Sequence, residues 1–151
     1  MSSRLKSRVF VFTLVFFAVV TFDQVSKSWA LRHFQRHAYH VIGFVRLDIV
    51  LNKGAAFGIG NSWGPWIVVL AVIAFWIIAV TARKELLSGA PVAFALISAG
   101  AFSNLGDRIA RGHHGAVVDF IDFGWWPSFN LADAAIVIGV IYLLIFQGRK
   151  S

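Results

Sequence analysis

The residues of this 151-residue chain best suited to chemistry are its aspartates, Asp23, Asp48, Asp107, Asp119, Asp122 and Asp133, together with Asn52, Asn104 and Asn130. Asp119 stands out among them. It follows Gly115-Ala116-Val117-Val118 and precedes Phe120-Ile121, so its carboxylate is held among apolar neighbours. A carboxylate in a low-dielectric site resists ionisation, and a second one nearby resists it further, so the two share a proton. One can then act as base on a water while the protonated partner polarises a carbonyl. Asp133 suits the partner's part, since Asp119 leads into the last apolar run and Asp133 lies in that run's first turn. Spacing alone leaves the pairing open.

Several of these residues also have plain structural uses. Asp23 and Lys27 stand at i and i+4, the spacing of a helical ion pair. Asn130-Leu131-Ala132-Asp133 reads as a capping box, with Asn130 as N-cap and Asp133 reaching back to it. Asp107 and Arg108 close an apolar run, where an arginine favours a helix C-terminus and the two could pair with each other. Other chemistries have less behind them. His113 and His114 are adjacent and no His-Glu-x-x-His occurs, so no metal site is expected. The absence of cysteine removes a thiol nucleophile, a disulfide framework and a Cys-based metal site. There is no Gly-x-Ser-x-Gly and no phosphate-cradling loop.

These side chains need elements to position them, and composition says which. Hydrophobic residues make up 58% of the chain and charged ones 14%, against ~45–50% and ~25% in a soluble domain. That apolar surplus exceeds what one small core can hold, so lipid must solvate part of the surface. The length allows a single domain over residues 1–151. Apolar runs predict spans at about 9–31, 66–82, 90–106 and 131–147, each helped by flanking residues to the ~20 a bilayer requires. The first is not a cleaved leader, because Asp23-Gln24-Val25-Ser26-Lys27 offers no small-residue cleavage site. Between the first two spans, 39–60 is β-rich: Val41 to Leu51 carries β-branched residues in partial alternation, and Gly54, Gly58 and Gly60 punctuate the stretch after it. The expected fold is an all-α membrane protein with four transmembrane helices and a small β-rich extracytoplasmic segment. Arg4, Lys6, Arg8, Arg83, Lys84, Arg149 and Lys150 crowd short stretches beside the helix ends, which puts both termini in the cytoplasm. All the aspartates then fall at or near the outer face, with Glu85 inside. The +7 net charge fits anionic headgroups better than nucleic acid.

Two rival functions can be weighed. A channel or transporter subunit would spread its acids through the membrane depth or around a pore, not gather them at one interface. A lipid-modifying transferase would need a metal-binding run of acids or a basic phosphate site, of which Asp119 and Asp122 make only a thin version.

In order along the whole chain, five motifs resemble those of the lipoprotein signal peptidases (signal peptidase II), membrane-embedded aspartic proteases of bacteria. They are Asp23-Gln24-Val25-Ser26-Lys27, Asn52-Lys53-Gly54-Ala55-Ala56-Phe57-Gly58, Asn104-Leu105-Gly106-Asp107-Arg108, Val118-Asp119-Phe120 and Phe129-Asn130-Leu131-Ala132-Asp133. Two departures accompany them: Ser103 stands where the family pattern usually has glycine, and the link 111–116 is a few residues longer than the usual one. The resemblance implies cleavage of a diacylglyceryl-modified prolipoprotein just before its lipidated cysteine. It implies Asp119 and Asp133 as the catalytic pair, in an order left open. Asn52, Gly54, Asn104, Arg108, Asn130 and Ala132 would orient the pair or bind the substrate backbone. Asp23 and Lys27 would support the site from the first helix, and Asp107 would hold the third. No metal or organic cofactor is implied. The implied partners are the prolipoprotein and membrane lipids, for a monomer in the bacterial cytoplasmic (inner) membrane with its active site near the outer face.

Overall fold

The computed structural model describes residues 2–34, 37–53 and 90–148. The expected second span at 66–82 and Gly54, Gly58 and Gly60 lie outside the described residues. Three long helices and three strands make up the described fold: α1 Ser3–Phe34, β1 Tyr39–Ile42, β2 Val45–Asn52, α2 Pro91–Ala110, β3 Val117–Asp122 and α3 Leu131–Gly148. The expected runs at 9–31 and 131–147 are thus helical throughout and that at 90–106 from Pro91 onward, and each helix continues a little past the C-terminal bound.

α1 has 32 residues and is the only helix among the described residues both long and apolar enough to cross a membrane by length and composition. The apolar stretch of α3, Leu131–Ile145, is shorter. α1 hides Asp23, Lys27, Ala30 and Phe34 and exposes Phe10, Leu14, Phe17, Phe22, Val25 and Trp29. α3 likewise turns Val137, Ile138, Ile141, Leu144 and Ile145 outward. In water such an arrangement would be inside out. In lipid it is the stable one, because hydrocarbon solvates the apolar faces while ionisable groups must find partners within the protein.

The fold is not all-α with β structure confined between the first two spans, because the sheet draws its third strand from Val117–Asp122, after α2. Strand order is β1-β2-β3 with both pairings antiparallel. The short Val117–Asp122 run is continuously apolar around Asp119, which hides the period-2 signal that marks a half-exposed strand. β1 and β2 form a hairpin closed at Ile42↔Val45, and β3 pairs along β2 with Val50 opposite Asp119 and Asn52 opposite Val117. Phe120 leaves the sheet for a small core with Ala30 and Phe34 of α1, onto which Leu47, Ile49 and Ile121 pack.

α2 and α3 approach closely, and small residues permit it. A Cβ built on Gly100 would collide with the Ala132 carbonyl and lie 2.7 Å from Ile136 Cγ1. One on Gly139 would lie 2.7 Å from Ile97 Cγ1 and 2.9 Å from the Ala93 carbonyl oxygen. Gly100→Ala and Gly139→Ala should each lower the thermal unfolding midpoint in detergent, by the equivalent of about 1–3 kcal/mol for an overpacked contact. Gly100→Ala should also reduce activity, since it displaces the backbone beside Asp133, whereas Gly139→Ala should not.

Candidate active site

Every polar side chain of the site enters from the same end of the helices. α1 brings Asp23, Gln24 and Lys27 from its C-terminal third, α2 brings Ser103, Asn104 and Asp107 from its last turns, and α3 brings Asp133 from its first. The sheet supplies Asn52 and Asp119. Phe129 joins the halves by backbone bonds: Phe120 N and Ile121 N donate to its carbonyl, and its own N–H reaches the Ile121 carbonyl. That bridge sets Asn130 beside Asp119.

Asparagines frame the two carboxylates. Asp119 Oδ1 accepts from Asn130 Nδ2 at 2.7 Å, and its Oδ2 accepts from Asn52 Nδ2 at 3.0 Å. Asn52 is the diagonal cross-strand neighbour of Asp119, within reach of a polar side chain on one face of the sheet. Asp133 Oδ1 accepts from Asn104 Nδ2 at 2.8 Å, and its Oδ2 accepts from Asn130 N at 3.2 Å. Asp133 N in turn donates to Asn130 Oδ1 at 3.0 Å, which completes the capping box. The cap and the site are therefore one structure. Asn130 uses its carbonyl oxygen for the helix and its amide group for Asp119.

Amide orientations here follow from partners that can only donate. Lys27 Nζ lies 2.9 Å from Asn104 Oδ1, and an ammonium has no lone pair to offer. Asn104 must therefore turn its NH2 toward Asp133. Asn130 Nδ2 also reaches Asn104 Oδ1, at 3.2 Å, so a pair of amides links the Asp119 side of the site to the Asp133 side.

The electrostatics differ between the two acids. Asp119 is 1% exposed, whereas Asp133 is partly open. Burial raises the Asp119 carboxyl to about 6; the Asn52 hydrogen bond opposes this and the nearby Asp133 charge adds to it. Asp122 is a different case. It lies three residues along β3 from Asp119 and so on the opposite face, with its Oδ1 accepting from Gly124 N at 2.6 Å and its Oδ2 paired to Arg46. The Gly124 N–H, with help from Arg46, holds that carboxyl below the usual range.

Beneath the asparagines lies a buried ion cluster. Lys27 Nζ sits 2.7 Å from Asp23 Oδ2 and 2.9 Å from Asp107 Oδ2, with all three side chains fully withdrawn from solvent. The i,i+4 pair expected from spacing is present, and it extends to α2. Asp107 pairs with Lys27 and with Arg111 Nε at 2.9 Å, while Arg108 Nη1 donates to the Gly115 carbonyl at 2.8 Å. Ala132 is fully buried, and its N–H donates to Asp23 Oδ1 at 2.8 Å.

Sequence reading passed over Gln24, Ser103 and Arg111 as members of this cluster. Gln24 Nε2 donates to Ser103 Oγ and to Asp107 Oδ1, both at 2.9 Å, and Ser103 Oγ donates to Asp23 Oδ2 at 2.7 Å. A signal was available: Ser103 and Asp107 of α2 and Arg111 at its C-cap recur every four residues, a polar stripe on one face.

Residues 15–148 match the sequence profile of the family described as signal peptidase (SPase) II. Among named relatives, the lipoprotein signal peptidase of Syntrophomonas wolfei is 45% identical over 139 residues, covering 86% of this chain and 87% of that protein. The lipoprotein signal peptidase of Shewanella baltica is 38% identical over 154 residues, covering 93% and 86%. Two solved structures, both described as bacterial membrane enzymes studied by the in meso method, share the fold. One has a TM-score of 0.74 at 33% identity, with 91% of this chain and 87% of that chain covered. The other has a TM-score of 0.67 at 34% identity, with 89% and 90% covered.

The fold is that of a membrane enzyme, with its polar site at one end of apolar helices. The chain belongs to the signal peptidase II family, and it is a hydrolase of that peptidase type.

The Asp119 environment gives a pH expectation. Its carboxyl should titrate near pH 6, followed by infrared difference spectroscopy and assigned by loss of the band in Asp119→Asn. Asn52 stabilises the ionised form, so Asn52→Leu should move the titration to higher pH. Asp133→Asn removes a like charge and should move it lower.

Proposed function

We propose that this chain is an intramembrane aspartic endopeptidase that removes the signal peptide from diacylglyceryl-modified prolipoproteins, cutting before the lipidated cysteine. The observation that carries the reading is the buried Asp119 carboxyl, facing a second carboxyl through a frame of asparagine amides. Asp119 and Asp133 are the catalytic pair. One, ionised, takes a proton from water as the hydroxide attacks the scissile carbonyl carbon. The other, protonated, gives its proton to the carbonyl oxygen and stabilises the tetrahedral intermediate. On collapse the C–N bond breaks: the carboxyl that took the water's proton delivers it to the amine of the lipidated cysteine, and a hydroxyl of the intermediate returns its proton to the other carboxylate. The protons belong to the pair, so the order of roles is a property of the coupled site.

Asn52, Asn104 and Asn130 hold the carboxyl planes. Asp23, Lys27, Asp107 and the buried Ala132 N–H hold the helix ends that carry them. Arg108 and Gly54 complete the substrate-binding surface.

Four spans in one domain over 1–151 accord with the helix directions. α1 and α2 both end at the site, so the chain between them must return to the far side, and 66–82 is the run apolar enough to do so. Flanking positive charge favours cytoplasmic termini, in the inner membrane of a bacterium, with the site near the outer face. The enzyme works as a monomer on its prolipoprotein, with membrane lipids as its surroundings.

Asp119→Asn and Asp133→Asn should each lower cleavage of a diacylglyceryl-modified prolipoprotein in detergent by about 10²–10⁴-fold, with helical content retained. A chelator should leave the wild-type rate unchanged; its loss would favour a metal-assisted reaction instead. The lack of native cysteine makes topology directly testable. A membrane-impermeant maleimide applied to intact spheroplasts should label Trp126→Cys and spare Lys84→Cys and Ser151→Cys.

A further inference from the structure

Outside the asparagine frame lies a chain of hydrogen bonds whose donor direction is fixed from one end. Arg111 starts it. Its guanidinium, tucked against α1, gives Nε to Asp107 Oδ1 at 2.9 Å, Nη1 to Ser28 Oγ at 3.3 Å, and Nη2 to Gln24 Oε1 and, at 3.4 Å, to the Gln24 carbonyl. Guanidinium has no acceptor, so Gln24 must present its oxygen to Arg111. The Gln24 NH2 is then directed inward, to Ser103 Oγ and Asp107 Oδ1, both at 2.9 Å, and to the Ser103 carbonyl at 3.3 Å. Ser103 Oγ, already accepting, has one hydrogen left. It goes to Asp23 Oδ2 at 2.7 Å.

The two carboxylates that receive these bonds end on matching backbone atoms. Asp23 Oδ1 holds Ala132 N, the amide one residue before Asp133. Asp107 Oδ2 holds Val118 N at 3.3 Å, the amide one residue before Asp119. Both acids are fully buried, and Lys27 spans them. Each member of the proposed catalytic pair is therefore carried on a backbone that a buried carboxylate grips one residue upstream. The orientation of both grips is set through Gln24 and Arg111.

We propose that Gln24 and Arg111 are positioning residues for the peptidase reaction, acting through Asp23 and Asp107 on the backbone that carries Asp133 and Asp119. The proposal rests on the assignment of that pair. Displacement of a reacting group by about 1 Å can cost up to about 10²-fold in rate, which sets the effect to look for.

Gln24→Glu is the discriminating variant. It keeps the shape and the oxygen facing Arg111 but puts a second acceptor where Ser103 and Asp107 need a donor. Arg111→Met removes the start of the chain, and Gln24→Met removes the relay with little change of volume. All three are assayed in the full-length detergent-solubilised enzyme with a diacylglyceryl-modified prolipoprotein. Rates are referred to the monodisperse fraction, so that lost folding does not count as lost turnover. The expected result is a fall in kcat of about 10-fold or more in Gln24→Glu and a smaller fall in the two Met variants. KM should stay within about twofold and the acid limb of the kcat profile should shift. If Gln24→Glu does not accumulate as a folded protein, the two Met variants carry the same comparison. Wild-type kcat and pH profile in the variants that fold, with only the melting temperature lowered, would overturn the proposal. Asp119→Asn separates the two levels: if it is inactive while the clamp variants turn over normally, the clamp alone fails. If it cleaves normally, the pair fails and the clamp with it.

Discussion

A lysine ammonium with no access to solvent must be surrounded by oxygen, and that requirement organises this molecule. Lys27 Nζ has Asp23 Oδ2, Asp107 Oδ2 and Asn104 Oδ1 within 2.9 Å, drawn from α1 and α2. Leaving any of these charges alone in the interior would cost about 3–5 kcal/mol, so the two helices are fixed in register at this level. Arg111 balances the second carboxylate, which leaves the cluster near neutrality. α3 joins through its backbone, by the Ala132 N–H on Asp23, and β3 through the Val118 N–H on Asp107. Three helices and one strand thus meet at one cation.

That anchoring lets the site above it be both buried and polar. Asp119 sits on a strand whose neighbours Val118 and Phe120 are buried, and its oxygens are met by amides, which donate without carrying charge. A cation in their place would hold the carboxyl ionised. Neutral donors orient it while burial still pushes its pKa up. Lys27 sits one layer down, where it fixes the Asn104 amide and acts on Asp133 through it.

Lipid completes the logic. The outward faces of α1 and α3 are hydrocarbon, and close contact of α2 with α3 depends on Gly100 and Gly139, where any side chain would strike the facing helix. With little hydrophobic drive between helices in a bilayer, close packing and internal polar bonds must hold them together. The ion cluster and the glycines both serve that end.

Much of this was legible in the residues. Apolar runs marked three of the helices now described, the i,i+4 spacing marked the Asp23–Lys27 pair, and Asn130 through Asp133 marked a capping box; each is a local pattern, set by neighbours within one or two turns. The sequence by itself also singled out Asp119, because a carboxylate in so apolar a stretch must answer for its place. Local pattern could not show that 117–122 pairs with 45–52, since strand pairing depends on partners far away in the chain. Nor could it show that Asp107 would pair with Lys27 and Arg111, that Ser103 would bond Gln24 and Asp23, or that Asn130 would serve cap and site at once. Those outcomes were decided by tertiary structure, because a buried donor takes whichever acceptor the packing of distant segments brings within about 3 Å.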